Sequence, residues 1–125
     1  MPLSAYLAEI HRLLAATPCV TRVDLTSEDR PPSALYLSGT ICFTDSSQLD
    51  FKEFAVATPS PCVLKYAYHY HMSGVLRFRY DNAADPAARH LPTYPHHRHG
   101  PDGLAAAQPP TLATVLTEIL ARLVP

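Results

Sequence analysis

Three short stretches concentrate residue types that can do acid–base or anion-binding chemistry. They are Lys65-Tyr66-Ala67-Tyr68-His69-Tyr70-His71, then Arg77-Phe78-Arg79-Tyr80-Asp81-Asn82-Ala83, then Leu91-Pro92-Thr93-Tyr94-Pro95-His96-His97-Arg98-His99. Imidazole gains and loses a proton near pH 7, so histidines beside arginines suit general acid–base work on a phosphodiester. An arginine fork can hold a phosphate at two oxygens and stabilise the charge it gains in the transition state. Such a set would cleave RNA without metal: one side chain takes the 2′-hydroxyl proton and another protonates the leaving oxygen. His69 or His97 is the expected acid or base. Arg79, with Arg77 or Arg98, is the expected phosphate holder, and Asp81 would orient a histidine or arginine.

Each stretch also has a plainer reading. Strands favour tyrosine for packing, so Tyr68 and Tyr70 suit the core before they suit base stacking. As stacking platforms they would join Lys65, Arg77 and Arg98 in holding the substrate. Asp81-Asn82 can simply end a strand in a turn. His96, His97 and His99 could fill part of a zinc shell. However, their spacing matches no common zinc motif, no thiol lies nearby, and adjacent histidines on an extended chain point apart. No metal and no other cofactor is therefore expected.

The charge total conceals this segment. The chain has 125 residues, with 10 Lys and Arg against 11 Asp and Glu, a net charge of −1. That balance excludes binding of nucleic acid by bulk positive charge, and an apolar fraction of 47 % excludes wholesale disorder. Between Lys65 and His99, five basic residues face two acidic ones, a net of +3 that leaves −4 elsewhere. Six of the seven histidines lie in those 35 residues. The sequence thus predicts an acidic frame around one basic, titratable site.

The elements that must position the site follow from periodicity. Leu3, Leu7, Ile10, Leu13 and Leu14 recur at helical spacing, with Ser4 as the expected N-cap and Pro18 as the stop. Val20 to Leu25 reads as a strand, followed by a turn through Ser27, Glu28, Asp29, Pro31 and Pro32. Leu35, Leu37, Ile41 and Phe43 alternate as a strand. Thr44 to Ser47 turns into Leu49, Phe51 and Glu53, with a bulge expected before Phe54, and Pro59-Ser60-Pro61 breaks the chain. Val63 to His71 and Val75 to Asn82 form a hairpin around Met72-Ser73-Gly74. A three-residue loop there groups Tyr66, Tyr68 and Tyr70 with Leu76, Phe78 and Tyr80, leaving Lys65, His69, His71, Arg77, Arg79 and Asp81 on the other face. Residues 83–110 carry six prolines and read as one long loop. Leu112, Val115, Leu116, Ile119, Leu120 and Leu123 make a second apolar helical stripe, opened by Pro109-Pro110-Thr111.

The expected fold is α+β: an N-terminal helix, an antiparallel meander of about five strands, a Pro- and His-rich loop, and a C-terminal amphipathic helix packed on the sheet. One domain over residues 1–125 is expected from the length. Cys19, Cys42 and Cys62 are unpatterned and fit strands as small apolar residues. With no signal peptide, no apolar run long enough for a bilayer and an odd thiol count, the expectation is a cytoplasmic protein without membrane contact.

The ordered set of motifs resembles the TumE family of small bacterial and archaeal proteins, toxins of toxin–antitoxin pairs. The resemblance rests on Lys65-Tyr66-x-Tyr68-His69-Tyr70, then Phe78-Arg79-Tyr80-Asp81-Asn82-Ala83, then Pro92-Thr93-Tyr94-Pro95-His96-His97-Arg98-His99. It implies function at His69, Arg79, Tyr80, Asp81, His96, His97 and His99, and a neutralising helix-turn-helix antitoxin encoded nearby. The family's paired histidines after the Tyr-Asp-Asn-Ala motif are missing, because Ala84 to Arg89 stand there and only His90 follows. RNA is the expected substrate, extrapolated from the residues. The alternatives are a non-enzymatic RNA- or protein-binding module on the same basic face, and a metal-dependent nuclease. A homo-oligomer is compatible with the sequence.

Overall fold

The computed structural model describes residues 2–57 and 61–123. Helix α1 (Leu3–Ala16) precedes strands β1 (Val20–Arg30), β2 (Ala34–Phe43), β3 (Ser47–Val56), β4 (Cys62–Met72) and β5 (Val75–Asp81). A short 3-10 turn (Pro86–Ala88) leads to β6 (His97–Gly100), β7 (Gly103–Ala106) and helix α2 (Leu112–Leu123). The strands form one antiparallel sheet in chain order, and the class is α+β as expected. The sheet has seven strands rather than five because β6 and β7 lie inside the stretch read as loop. Their sequences, His-Arg-His-Gly and Gly-Leu-Ala-Ala, carry no apolar alternation. They are strands because β6 completes the open edge of β5.

Local expectations shift in instructive ways. Helix α1 begins at Leu3, one residue before the expected Ser4 cap, and the Pro2 carbonyl accepts from the amides of Ala5 and Tyr6. Strand β1 continues through Ser27, Glu28 and Asp29, which pair with Leu37, Tyr36 and Leu35, so the turn is confined to the prolines and Ser33. The irregularity falls just after Phe54 rather than before it: Phe54 pairs with Lys65 but Ala55 with Val63, so Leu64 of β4 is the extra residue. Ser47, Leu49, Phe51, Glu53 and Ala55 keep their alternation on the core face. Cys19 sits in the turn before β1, not in a strand. Pro59 and Ser60 lie outside the described residues. At the start of α2, Thr111 and Thr114 each accept from the other's amide, at 2.9 and 3.1 Å, which satisfies two otherwise orphaned N–H groups.

The β4–β5 hairpin turns on two residues, not three. Ser73 and Gly74 both have positive φ (51° and 78°), the geometry that matches strand twist in a tight turn. Met72 pairs with Val75 and His71 with Leu76, but Tyr70 pairs with Phe78, so Arg77 is an extra residue that resets the parity. The bulge restores the predicted partition for Phe78 and Tyr80 and removes Leu76 from the aromatic face; Leu76 is exposed.

One sheet face carries the core. Leu37, Ile41, Leu49, Phe51, Tyr68, Tyr70 and Phe78 meet Ile10 and Leu14 of α1 and Leu112, Val115, Leu116 and Ile119 of α2. A fully buried aliphatic or aromatic side chain of this kind contributes roughly 1.5–3 kcal/mol relative to exposure. Gly39 stands opposite Phe51, where a Cβ would come within 2.5 Å of the ring. Both helices lie on this face, so the other face of the sheet is left open between β1 and β6.

Candidate functional site

Strand pairing lines up the polar residues of the open face in rows. One row runs Asp24, Thr40, Asp50, His69, Arg79 and His99, each opposite the next on the neighbouring strand. The adjacent row runs Ser38, Lys52, Ala67, Asp81 and His97. A groove of about 530 Å³ lies over these rows, with Asp50, Lys52, His69 and Arg79 in its wall. A second hollow of about 690 Å³ shares Lys52 and Arg79 and adds Arg30, Lys65 and Asn82. Among the described residues neither Lys52 nor Lys65 has a carboxylate within 4.0 Å, so both charges are free to meet an anion, Lys52 in the groove and Lys65 in the adjoining hollow.

Histidines and carboxylates in the rows are fixed by their partners. The Arg79 Nη1 donates to His69 Nδ1 at 3.2 Å. An arginine cannot accept, so the lone pair of His69 is on Nδ1 and its proton on Nε2. Burial, then the charges of Arg79 and His71, hold the His69 imidazole below its ordinary range against the weaker pull of Asp50. His71 Nε2 lies 2.7 Å from Asp50 Oδ2. Burial pushes the Asp50 carboxyl up, but hydrogen bonds from Gln48, His71 and Thr40 outweigh it and leave the group below its ordinary value. The His69 and His71 rings are 5.3 Å apart. Together these residues form a cluster of two imidazoles, one guanidinium and one ionised carboxylate.

Asp81 is the second centre. Its Oδ2 accepts from Arg79 Nε at 2.8 Å, which aims the guanidinium at His69. Its Oδ1 accepts from the Ala83 amide at 3.1 Å and faces His97 Nε2 at 3.0 Å. His99 Nε2 stands 3.9 Å from Oδ2. Asp81 and His97 are buried, while the His99 side chain is 34 % exposed.

The residues predicted from sequence therefore divide. Lys65, His69, Arg79, Asp81, His97 and His99 share the open face. Tyr80 and Arg98 do not: they lie on the helix-covered face, where Tyr80 Oη donates to Glu118 at 2.6 Å and Arg98 Nη2 does so at 2.6 Å. The Arg98 guanidinium also caps the rings of Phe78 and Tyr80. Tyr68 and Tyr70 are buried, donating to Glu53 and Ser47, so neither ring can stack on a base. Arg77 is the bulge residue beside Met72 and has no part in the rows. His96 stacks on Tyr66 and pairs with its hydroxyl at 2.9 Å, which fastens the loop to β4. His97, with Nδ1 on the Pro95 carbonyl and Nε2 on Asp81, has no nitrogen left for a substrate. Tyr68, Tyr70, Tyr80 and Arg98 share one cause, because consecutive strand residues face opposite ways and a contiguous motif cannot share one site.

Two members of the cluster escaped the sequence reading. His71 sits in the first motif and on the predicted polar face, but nothing marked it as paired. Asp50 belongs to none of the three motifs and stands between Leu49 and Phe51. The signal was there in the alternation, which sends Asp50 to the face opposite Leu49, but its meeting with His71 depends on the β3–β4 register.

No helix among the described residues is long and apolar enough to cross a membrane. Comparison with curated proteins and with solved structures gave no match. The family model described as toxin TumE matches residues 10–124, which takes in all seven strands, all three motifs and the whole open-face cluster. The chain belongs to the TumE family of toxins.

Proposed function

We propose that residues 1–125 act as one toxin domain that cleaves RNA by side-chain acid–base chemistry in the open-face groove. A toxin family implies an antitoxin partner, and the expected one is a helix-turn-helix protein encoded nearby. The observation that carries the reading is the contact of Arg79 with a neutral His69, beside a His71 held by an ionised carboxylate. A scissile phosphate drawn to Arg79 would take up the guanidinium protons now given to His69 and free its Nδ1 lone pair. His69 would then accept the 2′-hydroxyl proton as that oxygen attacks phosphorus. The bond from phosphorus to the 5′-oxygen breaks, and His71 would supply the proton to the departing oxygen. Lys52 and Lys65 suit the flanking phosphates by position and charge.

Induced expression in bacteria, with total RNA followed over time, tests this reading. RNA breakdown that precedes growth arrest is expected. Arrest with intact RNA would sink it.

The pH dependence has a definite sign. His69 is faced by Asp50 from β3, by Arg79 from β5 and by His71 on its own strand, and the net effect disfavours its charged form. A base held below its ordinary value stays unprotonated to lower pH, so the acid limb of the rate profile is expected below about pH 6.5. The same shift makes folding weaker as pH falls from the unfolded histidine value towards the lower folded one. Initial rates on a short RNA across mildly acidic pH check this, and an acid limb centred above the ordinary histidine value would contradict it.

A further inference from the structure

His97 is held in a way that the acid–base reading leaves unused. Its Nδ1 lies 2.7 Å from the Pro95 carbonyl oxygen, which can only accept, so Nδ1 carries a proton. A neutral ring therefore presents the lone pair of Nε2 to Asp81 Oδ1, 3.0 Å away. Two acceptors at that separation need a positive centre, either a second ring proton or a metal ion. His99 decides between them. On a strand, residues two apart point the same way, so His97 and His99 share a face, and pairing sets Asp81 opposite His97. The ligand atoms of Asp81, His97 and His99 all lie within 4.8 Å of one another.

We infer that Asp81, His97 and His99 bind one divalent transition-metal ion of the zinc class. Two imidazole nitrogens and one carboxylate oxygen are a donor set for such an ion, and three protein ligands leave a fourth position open. The outer contacts are those that metal ligands need. The Pro95 carbonyl fixes the tautomer of His97, and Arg79 Nε holds the second oxygen of Asp81 at 2.8 Å. The exposed member is His99, so the open position lies on its side of the cluster. The expectation drawn from the sequence, that the histidine run would not bind metal, rested on its spacing, on the lack of a nearby thiol and on adjacent His96 and His97 pointing apart. They do point apart, since His96 faces Tyr66, but the pair that converges is His97 and His99, and the third ligand comes from another strand. The ion would place positive charge next to Arg79, at the end of the anion-attracting row. The inference does not depend on RNA being the substrate.

The test uses the full chain without a histidine tag, dialysed against zinc and then against metal-free buffer, with cobalt(II) absorption reporting the ligand field. About one equivalent of zinc per chain is expected. His99→Ala, a change at a half-exposed position, is expected to weaken zinc binding by about tenfold or more while leaving the unfolding transition of the metal-free protein in place. His97→Ala and Asp81→Asn should weaken it as well, and His90→Ala, outside the cluster, should not. Substoichiometric zinc in the wild type overturns the inference, as does binding that His99→Ala leaves unchanged. No RNA enters the measurement, so its failure and a failure of the cleavage reading are separate results.

Discussion

Replacing Arg79 by alanine is expected to abolish growth arrest on induced expression and to slow RNA cleavage by about 10²–10⁴-fold. Two effects act together. The substitution removes the donor that would stabilise the phosphorane-like charge, and it leaves the buried Asp81 carboxylate without its 2.8 Å partner. Arg79→Lys separates them, since lysine keeps the charge but loses the fork that reaches His69 and Asp81 at once. It should retain the fold and recover only part of the rate. His69→Ala is expected to match Arg79→Ala in toxicity, because Arg79 acts on the substrate beside that ring. Wild-type growth arrest by a well-folded Arg79→Ala protein would remove the guanidinium from the mechanism.

A second large effect is expected in the core. Glu53 is 1 % exposed and lies on the helix-covered face. Its carboxylate accepts from Tyr6 of α1 and from Tyr68 of β4, the latter at 2.5 Å. Burial and the Glu53 charge push both phenols far up, so both remain donors at any physiological pH. Glu53→Ala leaves a cavity and two hydroxyls without their acceptor, at a cost of about 3 kcal/mol. Glu53→Gln keeps one acceptor oxygen in the same volume and should cost about 1 kcal/mol. Urea unfolding reads both as a fall in midpoint at constant slope. A loss below about 0.5 kcal/mol for Glu53→Ala would show that Glu53 does not tie α1 to the sheet.

Much of this architecture was legible because apolar periodicity reports burial. The stripe from Leu112 to Ile119 and the alternation from Leu35 to Phe43 predict their elements correctly, and both bury the residues they nominate. The partition of the β4–β5 hairpin into aromatic and polar faces was also legible, although the turn length was not, because a bulge at Arg77 restores parity after a two-residue turn. Strands β6 and β7 were not legible. Their residues gain order from pairing with β5, a long-range cause that leaves no local pattern. For the site, residue type singled out His69, Arg79 and Asp81 correctly as neighbours on one face. Proximity in sequence drew in Tyr80 and Arg98, which parity sends to Glu118. Asp50 was missed for the opposite reason, because its partner His71 is 21 residues away and the pairing register brings them together.

Incubation of the purified chain with a short RNA, and with the same RNA carrying a 2′-deoxy sugar at the cut position, tests the central claim most directly. Attack by the 2′-oxygen with His69 and His71 moving the protons predicts fragments ending in a 2′,3′-cyclic phosphate and a 5′-hydroxyl, and no cut at the deoxy position. Intact RNA, or cleavage that proceeds at the deoxy position, would contradict it.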